Sequence, residues 1–244
     1  MRATTAILFI LNFFHLGLAQ EKVSFYSEDS LKISADLYLK DYRLPFILLF
    51  HQGGSSRGEY SEIAARLMKL NYNCLAVDLR SGGKINYVTN ETARQAENGN
   101  YPNSFIDARM DIEASIQYVK KFNANSVVLF GSSYSASLCL IIAKNNLNVK
   151  AVIAFSPGEF FRPQLIVKEE ISDLTKPLFI SSSTLEHEFV KQMLSGIQNE
   201  YKVLYKPGKG KKGMHGAKAL WKENESSDEC WLELLVFFKR IRYS

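Results

Sequence analysis

The sequence predicts one α/β domain: a mostly parallel central sheet with helices on both faces and no large cap domain. Three observations lead there. Short apolar runs alternate with amphipathic helical segments almost from end to end. Residues 45–50 are apolar without alternation, the pattern of a strand buried on both faces. The length, 244 residues with 46% hydrophobic and 23% charged, suits a single core and excludes disordered, collagen-like and coiled-coil chains.

The elements follow in order. Residues 1–19 read as an export signal. Arg2 gives a positive start, residues 6–19 are mostly apolar, and Gly17 and Ala19 place small residues at −3 and −1 of a cleavage site. A spanning helix needs about 20 apolar residues, and this run is shorter and broken by Asn12 and His15. The mature domain is then 20–244, with no membrane anchor, exported to the periplasm or secreted.

Strands are expected at 23–26 and 31–39, the second alternating through Leu31, Ile33, Ala35, Leu37 and Leu39. After the strand at 45–50 comes a helix over 59–70, with Ile63, Ala64, Leu67, Met68 and Leu70 on one face. A strand at 73–77 precedes a long connection, 80–103, without a period. A helix over 104–122 (Ile112, Ile116, Val119 inward) leads to a strand at 126–130 and a helix from 133 to about 145. Strands at 150–155, 177–181 and 201–205, a helix at 187–197 and a last helix at 230–241 complete the chain. Strand-helix alternation of this kind implies right-handed crossovers and a parallel sheet. The long connections 80–103 and 156–175 both follow strand C-termini, where open α/β sheets bind ligands.

The strongest local signal is Gly131-Ser132-Ser133-Tyr134-Ser135, between an apolar strand and a helix. A strand that turns directly into a helix around a serine needs residues without bulk two positions either side, and Gly131 and Ser135 meet that need. The turn would present the Ser133 hydroxyl at the sheet edge and the Tyr134 N–H to a developing oxyanion. Ser132 and Ser135 are rival nucleophiles, but neither follows a strand-ending glycine by two residues.

A serine needs a base, and the base an orienting acid. Of 4 histidines, His15 lies in the signal, His51 precedes the turn and His187 directly follows Glu186. His215, in Gly213-Met214-His215-Gly216 beyond the last strand, is the expected base. Glu186, past the strand at 177–181, is the expected acid; Glu188 is the runner-up and Asp173 comes too early. The loop His51-Gln52-Gly53-Gly54 would supply Gln52 N–H as second oxyanion donor, with His51 bracing it. Phe160, Phe161 and Arg80 are the expected substrate contacts, Tyr87 and Tyr101 further candidates for an acyl pocket.

On these motifs, together with Ala76-Val77-Asp78-Leu79-Arg80, the sequence resembles the α/β-hydrolase superfamily, and within it the small dienelactone-hydrolase-like proteins. The resemblance spans roughly residues 32–238. Dienelactone hydrolases use cysteine where this chain has Ser133, and aspartate is more usual than glutamate as the acid. Both departures favour ester hydrolysis on a small-molecule substrate. A peptidase or acyltransferase on the same triad, or a non-catalytic binding protein on the same fold, stays open at this stage.

The remaining features are blander. Net charge is +5, and no helix-turn-helix, finger or RNA-binding signature implies nucleic acid. No phosphate loop, HExxH or carboxylate cluster calls for a cofactor or metal. Cys74, Cys139 and Cys230 are odd in number, unpaired in spacing, and read as small hydrophobes. Four lysines between 206 and 212 read as a solvated loop, or as a patch steering acidic substrates. Asn90 and Asn224 each open a glycosylation-type triplet.

Overall fold

The computed structural model describes residues 20–122, 124, 126–198 and 200–242; the expected signal, 1–19, lies outside them. The chain opens with β1 (Gln20–Tyr26), β2 (Lys32–Tyr38) and β3 (Phe46–Phe50), then α1 (Ser61–Lys69) and β4 (Asn73–Val77). A two-stranded ribbon, β5 (Lys84–Ile85) and β6 (Val88–Thr89), precedes α2 (Glu91–Asn98) and α3 (Arg109–Val119). Then come β7 (Val127–Ser132), α4 (Tyr134–Asn145), β8 (Val149–Phe155), α5 (Val167–Glu170), β9 (Leu178–Ser181), α6 (His187–Met193), β10 (Lys202–Tyr205) and α7 (Ser227–Arg242).

Eight strands form one sheet in the order β1-β2-β4-β3-β7-β8-β9-β10. Only β2 runs against its neighbours; β4 to β10 pair in parallel. Alternation along the strands splits the core in two. Phe46, Leu48 and Leu129 face the layer of α3, α4 and α6, while Ile47, Leu49 and Phe130 face that of α1 and α7. The chain leaves β3 for α1 on one face and β7 for α4 on the other, so their loops diverge. Such a divergence opens a crevice at the carboxyl ends of adjacent parallel strands.

Local chemistry explains where the structure departs from the periodicity. The helix expected from 104 begins only at Arg109, because Asp107 Oδ2 accepts both Ser104 N–H (2.9 Å) and Ser104 Oγ–H (2.6 Å), holding a turn there. The connection 80–103 is structured. Asn86 and Tyr87, both at positive φ, turn the ribbon β5–β6, and Asn90 Oδ1 caps α2 by accepting Ala93 N–H (2.7 Å). Two-residue strands are too short to show a period. Asn90 and Asn224 are both buried, so neither triplet offers a surface acceptor; the three cysteines are buried and free. Among the described residues, no helix is long and apolar enough to cross a membrane.

Candidate active site

The turn from β7 into α4 carries a strained backbone. Ser133 sits at φ 61°, ψ −124°, a conformation that costs roughly 1–3 kcal/mol and persists only where the surroundings enforce it. The surroundings are specific. A Cβ on Gly131 would lie 2.5 Å from Ala136 backbone atoms, so no other residue fits. Ser133 N–H donates to Phe155 O (2.7 Å), tying the turn to β8. Ser135 Oγ accepts Ser132 N–H (2.9 Å) and donates to Phe50 O (2.7 Å), linking the turn to β3. A glycine at 135 could not do this. The Ser133 side chain is left at the top of the sheet, 7% exposed.

Glu186, just before α6, and His215 hydrogen-bond through Oε1 and Nδ1. The other carboxylate oxygen, Oε2, accepts from Ser156 Oγ (2.8 Å), Ser183 Oγ (2.8 Å) and Ser183 N–H (3.0 Å). Burial pushes the Glu186 carboxyl up, but the hydrogen bonds from His215, Ser183 and Ser156 outweigh it and hold it at about 2. Glu188, in the first turn of α6, is exposed and touches neither histidine through a hydrogen bond.

The His215 loop is fastened to the elbow by its own backbone. Gly216 N–H donates to Ser156 Oγ (3.0 Å) and Ala217 N–H to Ser132 Oγ (2.9 Å). Ser156 thus bridges the acid loop and the histidine loop, and Ser132, a rival nucleophile in the sequence, is occupied as a brace. Gly216, at φ +68°, lies where a Cβ would collide with Ser132 Oγ and come within 2.6 Å of Gln52 Oε1. Gly216→Ala is therefore expected to push the loop outward and lower stability by about 1–3 kcal/mol, read by thermal or denaturant unfolding. The lysine-rich segment is also anchored: Thr184 N–H and Oγ1 donate to Lys212 O (2.9 Å) and Lys211 O (2.8 Å), and Lys211 pairs with Glu229.

The β3 loop is braced by His51. Leu79 N–H donates to its Nε2 (2.9 Å), so the proton is on Nδ1, which donates to Gln52 O (2.8 Å). Burial pushes this imidazole's pKa down, toward the neutral form.

Several expected site residues are placed differently. Gln52 N–H, expected to be free for an oxyanion, donates to Oε2 of Glu59 (3.1 Å), a residue 1% exposed that no motif in the sequence singles out. Tyr134 N–H, first in α4, has no intrahelical acceptor. Arg80, expected at the substrate, is fully buried; its guanidinium binds Asp111 (Nη2 to Oδ1, 2.8 Å) and Asp29 (Nη1 to Oδ2, 2.7 Å). Phe160 lines a cavity beside His215, whereas Phe161 is buried in the core. Tyr87 is 97% exposed at the ribbon tip and lines no cavity with His215. Ser133 and His215 share no hydrogen bond; contacts between a nucleophile and its base commonly tighten only around a substrate.

No known protein-family profile matches the chain. The quorum-quenching protein AidA of Acinetobacter baumannii (strain MDR-ZJ06) is 29% identical over an alignment of 144 residues that covers 55% of this chain and 43% of that protein. The match thus spans less than half the length of that curated relative. Among solved structures, the esterase Pf2001 of Pyrococcus furiosus is similar with a TM-score of 0.69 at 17% identity, covering 97% of this chain and 98% of that one. A dienelactone hydrolase from Anabaena variabilis gives 0.69 at 16% identity, covering 91% and 97%. These likenesses show a common fold across nearly the whole chain.

Proposed function

We propose that this chain, which has the α/β-hydrolase fold, is a serine hydrolase that cleaves a carboxylic ester of a small molecule through an acyl-enzyme. The observation that carries the reading is the Glu186–His215 hydrogen bond at the mouth of the strained Ser133 turn. It follows the chain order serine, acid, histidine, on a fold shared with esterases.

In this reading His215 Nε2 takes the Ser133 proton as Oγ attacks the ester carbonyl. Glu186, ionised and fixed by three further hydrogen bonds, holds the imidazole with its proton on Nδ1 and stabilises the imidazolium that forms. Tyr134 N–H, at the positive end of a 12-residue helix, receives the oxyanion; Gln52 N–H can join it only by releasing Glu59. His215 then gives its proton to the leaving alcohol, and a water activated by the same imidazole hydrolyses the acyl-Ser133. Export belongs to the same proposal, with cleavage after Ala19 leaving residues 20–244 as the mature domain.

A fluorophosphonate probe tests the reading directly. Mass spectrometry should find the label on Ser133, with ester turnover lost in step. A folded protein that hydrolyses no ester and takes no label at Ser133 would reject it and leave the fold without catalysis.

A further inference from the structure

We propose that the cavity beginning at His215 is the subsite for the alcohol portion of the ester, and that it selects apolar alcohols. This rests on the assignment of Ser133, His215 and Glu186 above. The cavity, about 580 Å³, lies between the loop after β8 and the start of α6. That volume is within the roughly 300–1,000 Å³ of ordinary ligand pockets.

The direction comes from the chemistry of the proton. The imidazole that hands a proton to the leaving oxygen must sit against that oxygen. Whatever the oxygen carries then extends into the space the imidazole itself borders. His215 and Glu186 form one end of this cavity, and Pro157, Phe160, Leu185, Phe189 and Val190 continue it. Leu185 is 91% exposed, Phe189 50% and Phe160 38%. Single exposed apolar residues need no explanation, but three on the rim of one cavity form a patch with a use.

The polarity comes from what the polar lining residues already do. Glu186 Oε2 and Ser156 Oγ are occupied with each other and with the flanking loops. Glu159 accepts Val167 N–H (2.8 Å) and Lys168 N–H (2.9 Å), capping α5. Each polar side chain on the wall thus has its partner within the protein, and the apolar surfaces remain for the ligand. The floor is also set in advance. Ser137 Oγ donates to Gly158 O (2.8 Å) and accepts Gly158 N–H (2.9 Å), and the Phe160 ring lies where a Cβ on Gly158 would meet it at 3.0 Å.

Two ester series separate this from general apolar affinity: acetates of linear alcohols from methanol to hexanol, and methyl esters of linear acids of matching length. Along the alcohol series kcat/KM should rise about threefold to fourfold per methylene, the transfer gain of a buried CH₂, until the cavity is filled. The acid series should be shallower. The double variant L185S/F189A should flatten the alcohol series by at least tenfold at hexyl acetate, mainly through KM. A catalysis-free arm uses Ser133→Ala: 1-hexanol should perturb the backbone NMR signals of Phe160, Phe189 and His215, and L185S/F189A should abolish this. A steeper acid series, or a flat alcohol series in a protein that turns over esters and labels at Ser133, would overturn the subsite and leave the hydrolase reading standing. Without turnover or labelling the hydrolase reading falls, while the hexanol titration still decides whether this cavity takes an apolar alcohol.

Discussion

Ser133→Ala and Glu186→Ala are each expected to lower kcat/KM for an activated ester by about 10⁴-fold or more, and the double variant to be little worse than Ser133→Ala alone. Nucleophile, base and acid act as one unit, so removing a second member takes away little that the first has not. Glu186 is the decisive position because the structure commits both its oxygens: one to His215, the other to three donors from Ser156 and Ser183. Glu188→Ala, two residues on and exposed, should leave turnover within about twofold. The opposite ranking of the two glutamates would reject the assignment. Because the Glu186 carboxyl is held at about 2, this group should contribute no limb to the pH–rate profile near neutrality. Its contribution to stability has the same sign logic. A carboxylate whose pKa is depressed on folding stabilises fully above its ordinary 4.5 and loses that stabilisation as pH falls toward about 2. The gap in unfolding midpoint between wild type and Glu186→Ala should therefore close across that window.

How much of this was legible in the sequence depends on whether the determining contact is local. The elbow was legible, because a strand, a glycine, a serine and a helix follow one another within a few residues and the steric demand acts within that span. The fold class was legible for the same reason, with strand and helix periods written in contiguous segments. Glu186 and Glu188 could be ranked only by position, since closure onto His215 is a contact 29 residues away. Phe160 and Phe161 are adjacent, and in a loop without regular alternation no period says which faces the cavity. Ser135 reads in the sequence only as a residue without bulk; that its hydroxyl bonds Phe50, 85 residues earlier, is a tertiary contact. Gln52 shows the same limit over a short span. Glu59 is only seven residues on, but a 3₁₀ turn at Arg57–Tyr60 is what brings it back under the loop. Arg80 misled because a cation after a strand C-terminus is as consistent with a ligand as with a buried acid, and its acids lie 31 and 51 residues away.

Arg80→Met is expected to destabilise the fold by roughly 3–5 kcal/mol, on the order of 10 °C in Tm, with no specific effect on KM in the folded protein. The Arg80 and Asp111 side chains are both fully buried, and Arg80 N–H also donates to Asp111 Oδ2 (2.7 Å). Removing the guanidinium strands a carboxylate without water or counterion. Replacing the pair is a different matter, since a buried ion pair is often no better than packed apolar groups. Arg80→Met with Asp111→Leu should therefore recover most of the loss. Burial already pushes the Asp111 carboxyl up, to about 6, against the hydrogen bonds and charge of Arg80. Without the guanidinium only the backbone N–H at position 80 still opposes that shift. A carboxyl whose folded pKa exceeds its unfolded value costs stability as pH rises above the unfolded value, so the Arg80→Met deficit should be larger at pH 7 than at pH 5. Denaturant unfolding at the two pH values measures this. A variant of wild-type stability with a raised KM would instead return Arg80 to the substrate and make its burial irrelevant to the fold. The same reasoning extends to Arg57, whose guanidinium joins Asp36 (3.0 Å), Asp78 (2.5 Å) and Glu91 (3.1 Å) where the β3 loop meets β2, β4 and α2. Two buried arginines thus clamp the loops on the β4 side of the crevice, while serine hydroxyls and backbone N–H groups align the reacting side chains on the β8 and β9 side.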